Sequence, residues 1–103
     1  MKSKDLTFAE KCYQALSLIP RGKVTTYRLL AHALGTRAYR AVGSAMRKNP
    51  NVPKVPCHRV VRSDGFVGEY VRGTKKKIIL LKKEGILVIN GKIPNLKEVL
   101  FRF

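Results

Sequence analysis

The sequence predicts a mainly α domain with small β elements, organised around a helix-turn-helix. Apolar residues recur at helical spacing in the first half, glycines and prolines cut that half into three short segments, and the second half carries short strand and hairpin signals. One domain over residues 1–103 is expected, because a chain of this length with 45% hydrophobic residues builds one modest core.

Thr7-Phe8-Ala9-Glu10 is a capping box, with Thr7 as N-cap and Glu10 reaching back. Phe8, Cys12, Ala15, Leu16 and Ile19 then recur at helical spacing until Pro20 follows the helix. Cys12 lies on that apolar stripe and is read as packing. Arg21-Gly22-Lys23 is a turn, and Val24-Thr25-Thr26 leads into a second helix, roughly Tyr27 to Leu34, with Gly35 as its stop. After Thr36-Arg37-Ala38 a third helix runs from about Tyr39 to Lys48 and ends before Asn49-Pro50. Two short helices joined by a tight Gly-containing turn read as helix-turn-helix, with the third helix presented outward, although any three-helix bundle carries a similar pattern.

Asn49 to Val55 is a loop spaced by Pro50 and Pro53. Pro56-Cys57-His58-Arg59-Val60-Val61 reads as a short strand ended by the turn Ser63-Asp64-Gly65, and Phe66-Val67-Gly68-Glu69-Tyr70 as a partner strand or a wing. Thr74 caps a helix through Lys83 with Ile78, Ile79, Leu80 and Leu81 inside and Gly85 as its stop. Lys75-Lys76-Lys77 reads as a solvated first turn, although cations there oppose the helix dipole. Ile86-Leu87-Val88-Ile89, Asn90-Gly91 and Lys92-Ile93 form a hairpin signal. Asn95 and Glu98 cap a last short helix carrying Val99, Leu100 and Phe101.

Charge narrows the partners. Twenty-two Lys and Arg stand against six Asp and Glu, a formal charge of +16. Such an imbalance attracts polyanions: nucleic acid or an anionic membrane surface. No apolar run approaches the roughly 20 residues of a membrane span, and Met1-Lys2-Ser3-Lys4-Asp5 lacks the apolar region of a signal peptide. The expectation is a soluble cytoplasmic monomer with nucleic acid as its first-choice partner, no membrane and no obligate protein partner. Between Glu10 and Asp64 there is no acidic residue, while Arg28, Arg37, Arg40, Arg47, Arg59 and Arg62 all fall there, a pattern that fits a phosphate footprint better than a mixed solvated face. Cys12 and Cys57 suggest no disulfide framework, and with His32 and His58 they lack finger-like spacing, so neither a structural metal nor a cofactor is expected.

Cys57 is the candidate for chemistry. Pro56 restrains the backbone before it, His58 and Arg59 follow it, and neighbouring cations favour the nucleophilic thiolate. On a strand, adjacent side chains point to opposite faces, so His58 need not face Cys57. These three residues alone read as well structurally as functionally.

The wider series changes the balance. Arg40-Ala41-Val42-Gly43-Ser44-Ala45-Met46-Arg47 precedes Asn49-Pro50; then come Pro56-Cys57-His58-Arg59-Val60-Val61, Gly65-Phe66-Val67-Gly68-Glu69-Tyr70 and Leu80-Leu81-Lys82-Lys83-Glu84-Gly85. In that order and spacing the series, from about Phe8 to Gly85, closely resembles the C-terminal active-site domain of the alkylguanine-DNA alkyltransferases, also called methylated-DNA–protein-cysteine methyltransferases. The family's N-terminal domain is read as absent. The resemblance implies a winged helix-turn-helix, three-helix DNA-binding domain whose partner is double-stranded DNA containing alkylated guanine. It implies an irreversible, single-use transfer of the alkyl group from guanine oxygen six to the protein's cysteine, after the nucleotide is flipped out of the duplex at a cost of a few kcal/mol.

The same resemblance assigns roles by position. Cys57 matches the acceptor, His58 the base that deprotonates it through water, and Glu84 the carboxylate orienting that histidine. Tyr27 matches the tyrosine that crowds the phosphate and donates to the extruded base, Arg40 the arginine inserted into the vacated stack, and Asn49 the asparagine that braces the third helix against the active-site strand. Tyr70 and the backbone of Val60 and Val71 are expected to line the base pocket, and Arg28, Thr36 and Ser63 to touch the DNA backbone. Val71-Arg72 departs from the small residues often found there. The family's non-catalytic lesion binders carry another residue, often tryptophan, where this chain has Cys57; a lesion sensor is nonetheless the alternative, and an architectural DNA-binding protein with an incidental thiol a weaker third.

Overall fold

Helix α1 (Phe8–Leu16) starts where its capping box closes. The Glu10 amide donates to the Thr7 hydroxyl at 3.1 Å, and the Glu10 carboxylate accepts from the Thr7 amide at 2.8 Å. The computed structural model describes residues 6–52 and 54–103; residues 1–5, on which the reading of the start rests, and Pro53 of the proline-spaced loop lie outside the described residues. Strand β1 (Thr25–Thr26) runs directly into α2 (Tyr27–Ala33), where the Thr26 hydroxyl caps the helix by accepting from the Leu29 amide. After the link 34–38, α3 (Tyr39–Arg47) buries Val42, Ala45 and Met46 against α1 and α2. The Tyr13 hydroxyl fastens α1 to α3 by donating to the Ala45 carbonyl at 2.8 Å.

The second half wraps a smaller core. Strand β2 (Val60–Val61) pairs in parallel with β1, Thr25 opposite Val60 and Thr26 opposite Val61. Helices α4 (Thr74–Lys83) and α5 (Leu96–Val99) follow. Strand alternation sends Val60 into the core of α1, α2 and α3, and Val61 into the core of Val24, Val67, Leu81, Ile86, Val88 and Ile93. The architecture is the mainly α domain with small β elements that the sequence predicts, and among the described residues no helix is long and apolar enough to cross a membrane.

Five local expectations are corrected. Cys57–Arg59 is a 3₁₀ turn and only Val60–Val61 are extended: the Arg59 amide bonds to the Pro56 carbonyl at 2.9 Å, a tight closure that pulls the Cys57 backbone out of a strand path. The segment from Phe66 to Tyr70 forms no strand beyond one bridge from Phe66 to Lys92, since Gly65 and Gly68 turn the chain with φ of 93° and 77°. Asn90 and Gly91 make their tight turn at φ 51° and 78°, but pairing stops at Ile89 and Lys92 because the Ile93 amide bonds to Gly65 instead. In α4 the N-cap is Gly73 rather than Thr74, Ile79 is 50% exposed, and Lys77 is wholly buried: the inward face runs through Lys77, Ile78 and Leu81, so Ile79 falls outside it. Finally, Asn95 does stand at the N-cap of α5, but its side chain makes no cap bond, its amide donating to Glu98, and Leu100 and Phe101 leave the helix to run beside Val24.

Leu81, fully buried in the smaller core, tests this packing. Leu81→Ala is expected to lower stability by about 3 kcal/mol in urea unfolding, with an unchanged slope.

Candidate active site

The 3₁₀ turn carries Cys57 and His58 into the interior, where they are 3% and 2% exposed. Cys57 faces a cavity of about 310 Å³ walled by Tyr27 from α2, Gly43, Met46 and Arg47 from α3, Arg62 after β2, and the segment from Gly68 to Val71. Burial pushes the Cys57 thiol above its ordinary pKa, while the Asn49 side chain and the Lys77 charge pull the other way. The resting group is therefore a thiol. Cys12, also buried, is raised by burial to about 11 and sits in the core as an inert apolar group.

His58 follows Cys57 in the same turn. His58 Nε2 lies 2.9 Å from Glu84 Oε2. Burial works to raise Glu84, but hydrogen bonds from Arg59 and His58 outweigh it and hold the carboxyl below its ordinary value. An ionised Glu84 accepts, so the proton of His58 resides on Nε2 and Nδ1, buried without a protein partner, keeps its lone pair. Burial also lowers the His58 pKa against the opposing pull of Glu84, keeping the ring neutral. Arg59 grips the same carboxylate with Nε and Nη2 at 2.9 and 2.7 Å and donates from Nη1 to the Ile19 carbonyl at 2.7 Å. The cations adjacent in sequence to Cys57 thus do not activate it as their order suggests: one is neutral and the other is turned to Glu84.

Tyr27 sits at the head of α2 with the Lys77 ammonium 5.8 Å from its ring centre. Burial raises its hydroxyl to about 12, so it remains a donor at neutral pH. Gly68, at positive φ, lets the chain pass close by: a Cβ there would lie 3.5 Å from the Tyr27 hydroxyl. The Tyr70 hydroxyl is buried without a protein partner, and its ring meets His58 edge-on at 6.4 Å. Asn49 accepts from the Asn51 amide and donates to the Val55 carbonyl, both at 2.9 Å, which ties the end of α3 to the loop entering Cys57.

Tyr70 and Val71 line the cavity, and Val60 stands outside it with its carbonyl accepting from Lys77 at 2.7 Å. Arg40 is exposed on α3 at a second hollow, of about 550 Å³, which shares Tyr27, Gly43 and Arg47 with the first. Arg28 and Ser63 are exposed, and the Thr36 hydroxyl accepts from the Ala38 amide inside the α2–α3 link, so these three lie apart from the cavity. Sequence reasoning missed Arg47 and Lys77 as parts of the site and set Arg59 against the thiol rather than Glu84. Lys77 had a readable signal, since it lies four residues before Leu81 on the apolar stripe of α4. Among the described residues no three His, Cys, Asp or Glu side chains gather as metal ligands.

Residues 7–86 match the family described as 6-O-methylguanine DNA methyltransferase, DNA binding domain. The chain is 44% identical over 85 residues to the methylated-DNA–protein-cysteine methyltransferase of Saccharolobus islandicus, a match covering 82% of this chain and 55% of that relative's length. Its fold is similar to the crystal structure of the O6-methylguanine-DNA methyltransferase of the hyperthermophilic archaeon Pyrococcus kodakaraensis strain KOD1, with a TM-score of 0.73 and 47% identity over 80% of this chain and 48% of that one. It is also similar to S. pombe Atl1 in complex with damaged DNA containing O6-carboxymethylguanine, with a TM-score of 0.83 and 30% identity over the whole of both chains.

Glu84→Gln leaves Arg59 and His58 without their anion in a buried setting. A loss of about 3 kcal/mol in urea unfolding at neutral pH is expected. Because the Glu84 pKa is depressed on folding, its contribution is present above the ordinary carboxylate range and is lost as pH falls through the lowered value. The gap between wild type and variant should accordingly narrow in acid.

Proposed function

This chain belongs to the 6-O-methylguanine DNA methyltransferase family, by its DNA-binding domain, and on that footing we propose that it repairs DNA by moving the alkyl group of a 6-O-alkylguanine onto Cys57. The observation that carries the reading is the buried Cys57 thiol at the wall of a cavity near the low end of the ~300–1,000 Å³ range of small-molecule pockets, backed by the His58–Glu84–Arg59 chain.

The proposed sequence begins on the surface. A charge of +16 draws the protein to the duplex, with Arg28, Thr36 and Ser63 on its phosphates. Helix α3 is the recognition helix of a helix-turn-helix, and the turn after β2, bridged to Lys92, serves as its wing. The damaged nucleotide is extruded, and the exposed Arg40 guanidinium, planar and able to stack, fills the gap. His58 Nδ1 takes the thiol proton through a water while Glu84 stabilises the cation formed. The sulfur lone pair then forms a bond to the alkyl carbon as the carbon–oxygen bond breaks. The released electron pair goes to the guanine, where the Tyr27 hydroxyl donates a hydrogen bond. The product is a thioether with no leaving group to return, so each molecule acts once.

A second reading, lesion binding without transfer, is favoured by the match to Atl1 over the whole of both chains. The two part on one measurement. Incubation with an oligonucleotide containing 6-O-methylguanine is expected to add one methylene to the Cys57 peptide by mass; tight binding with no added mass would establish the sensor instead. Cys57→Ala is expected to retain lesion binding and lose transfer completely. Arg40→Ala is expected to slow repair at least tenfold while Cys57 keeps its reactivity toward small thiol reagents; parallel loss of both would make Arg40 structural. Since burial lowers the His58 pKa, the base is lost only as pH falls through a value below its ordinary level, about 6.5. Single-turnover rates should hold down to that point, and an acid limb centred above it would remove His58 as the base.

A further inference from the structure

Lys77 heads the largest fully buried side chains of the described residues, and the reaction proposed above makes no use of it. A lysine in a core is expensive unless its ammonium is satisfied, and here it donates to two carbonyls, Val60 at 2.7 Å and Glu69 at 2.9 Å. Neither bond stabilises α4 itself. One reaches the strand that continues from the Cys57 turn; the other reaches the residue before Tyr70, in the opposite wall of the cavity. The groups facing the ammonium are the Tyr27 ring from α2, Cys57 and His58 from the 3₁₀ turn, and Glu69 from the segment before α4. Methionine would fill the same space without a charge to desolvate, so packing alone gives no reason for a cation here.

We infer that Lys77 is a positioning residue for the transfer reaction: its ammonium pins the Val60 and Glu69 carbonyls, holding the strand behind the Cys57 turn in register with the facing wall of the base cavity, and its charge stabilises the thiolate as the proton leaves. The inference rests on the reading of Cys57 as the acceptor. Burial lowers Lys77 to about 7, and the nearby thiolate and Glu69 carboxylate act in the other direction. Forming the thiolate therefore strengthens the protonation of the lysine that supports it.

The test uses the full chain with Lys77→Met and Lys77→Arg. Two quantities are read: the pH midpoint for Cys57 alkylation by iodoacetamide, and the single-turnover rate on duplex DNA containing 6-O-methylguanine. Lys77→Met is expected to raise the midpoint by about one unit and slow transfer at least tenfold, with Lys77→Arg recovering most of the midpoint shift. A folded Met variant with wild-type midpoint and rate, or equal midpoint shifts in the Met and Arg variants, would overturn the inference. If Lys77→Met does not fold, lysine ¹³Cε titration decides: one lysine of wild type should titrate near 7 and move higher in Cys57→Asp, where a carboxylate stands in for the thiolate. No such lysine, or no response to Cys57, would overturn it. Failure of wild type to transfer methyl would sink the acceptor reading, while the midpoint comparison still judges Lys77.

Discussion

One carboxylate, Glu84, organises the interior beside the Cys57 thiol. It accepts from both nitrogens of the Arg59 fork and from His58, and Arg59 carries the tie onward to the Ile19 carbonyl past the end of α1. Three parts of the chain that are far apart in sequence thereby meet on one side chain. The same contacts set protonation: two donors keep Glu84 ionised, and an ionised Glu84 dictates which nitrogen of His58 is free. Stability and chemistry draw on one network, so a substitution there alters both.

The small sheet divides the molecule in a useful way. Val60 and Val61 face different cores, and the 3₁₀ turn immediately before them inherits a position between the two. Cys57 packs with the three-helix core and is modulated from both halves: by Asn49 at the end of α3 and by Lys77 from α4, while Glu84 at the C-terminal end of α4 holds His58. The site is therefore a seam between two packed layers. Close packing on both sides leaves the thiol little freedom, which suits a reaction needing one approach direction.

Much of this was legible in sequence because the signals were local. The Thr7 box, the Gly35 stop, the Asn90-Gly91 turn and the bounds of α2 and α3 depend on residues within a few positions of one another, and they appear nearly where expected. The departures come from long-range competition. Pro56-Cys57-His58 looks extended by composition, yet hydrogen bonding around Pro56 and the demands of two cores close it into a turn. Lys75-Lys76-Lys77 reads as one solvated run, but helical geometry places only Lys77 on the inward face, where two distant carbonyls satisfy it. Arg59 reads as a partner for the thiol because it is near in sequence; its actual partner is twenty-five positions away. Cys57 and His58 stand out as a local pair, whereas Tyr27, Tyr70 and Glu84, which the fold brings around them, were found through resemblance, since nothing in their spacing places them together.

The parallel pairing of Thr25–Thr26 with Val60–Val61 bears on how the reactive centre comes into being. Parallel neighbours cannot be joined by a tight turn, so this contact forms only after the whole helical segment between them has been gathered in, and Glu84 must arrive later still along the chain. A nascent or partly collapsed polypeptide thus carries Cys57 and His58 without the Glu84 carboxylate and without the cavity that the finished fold encloses. The meeting of thiol, imidazole and carboxylate is a property of the finished tertiary structure rather than of any one stretch of the chain.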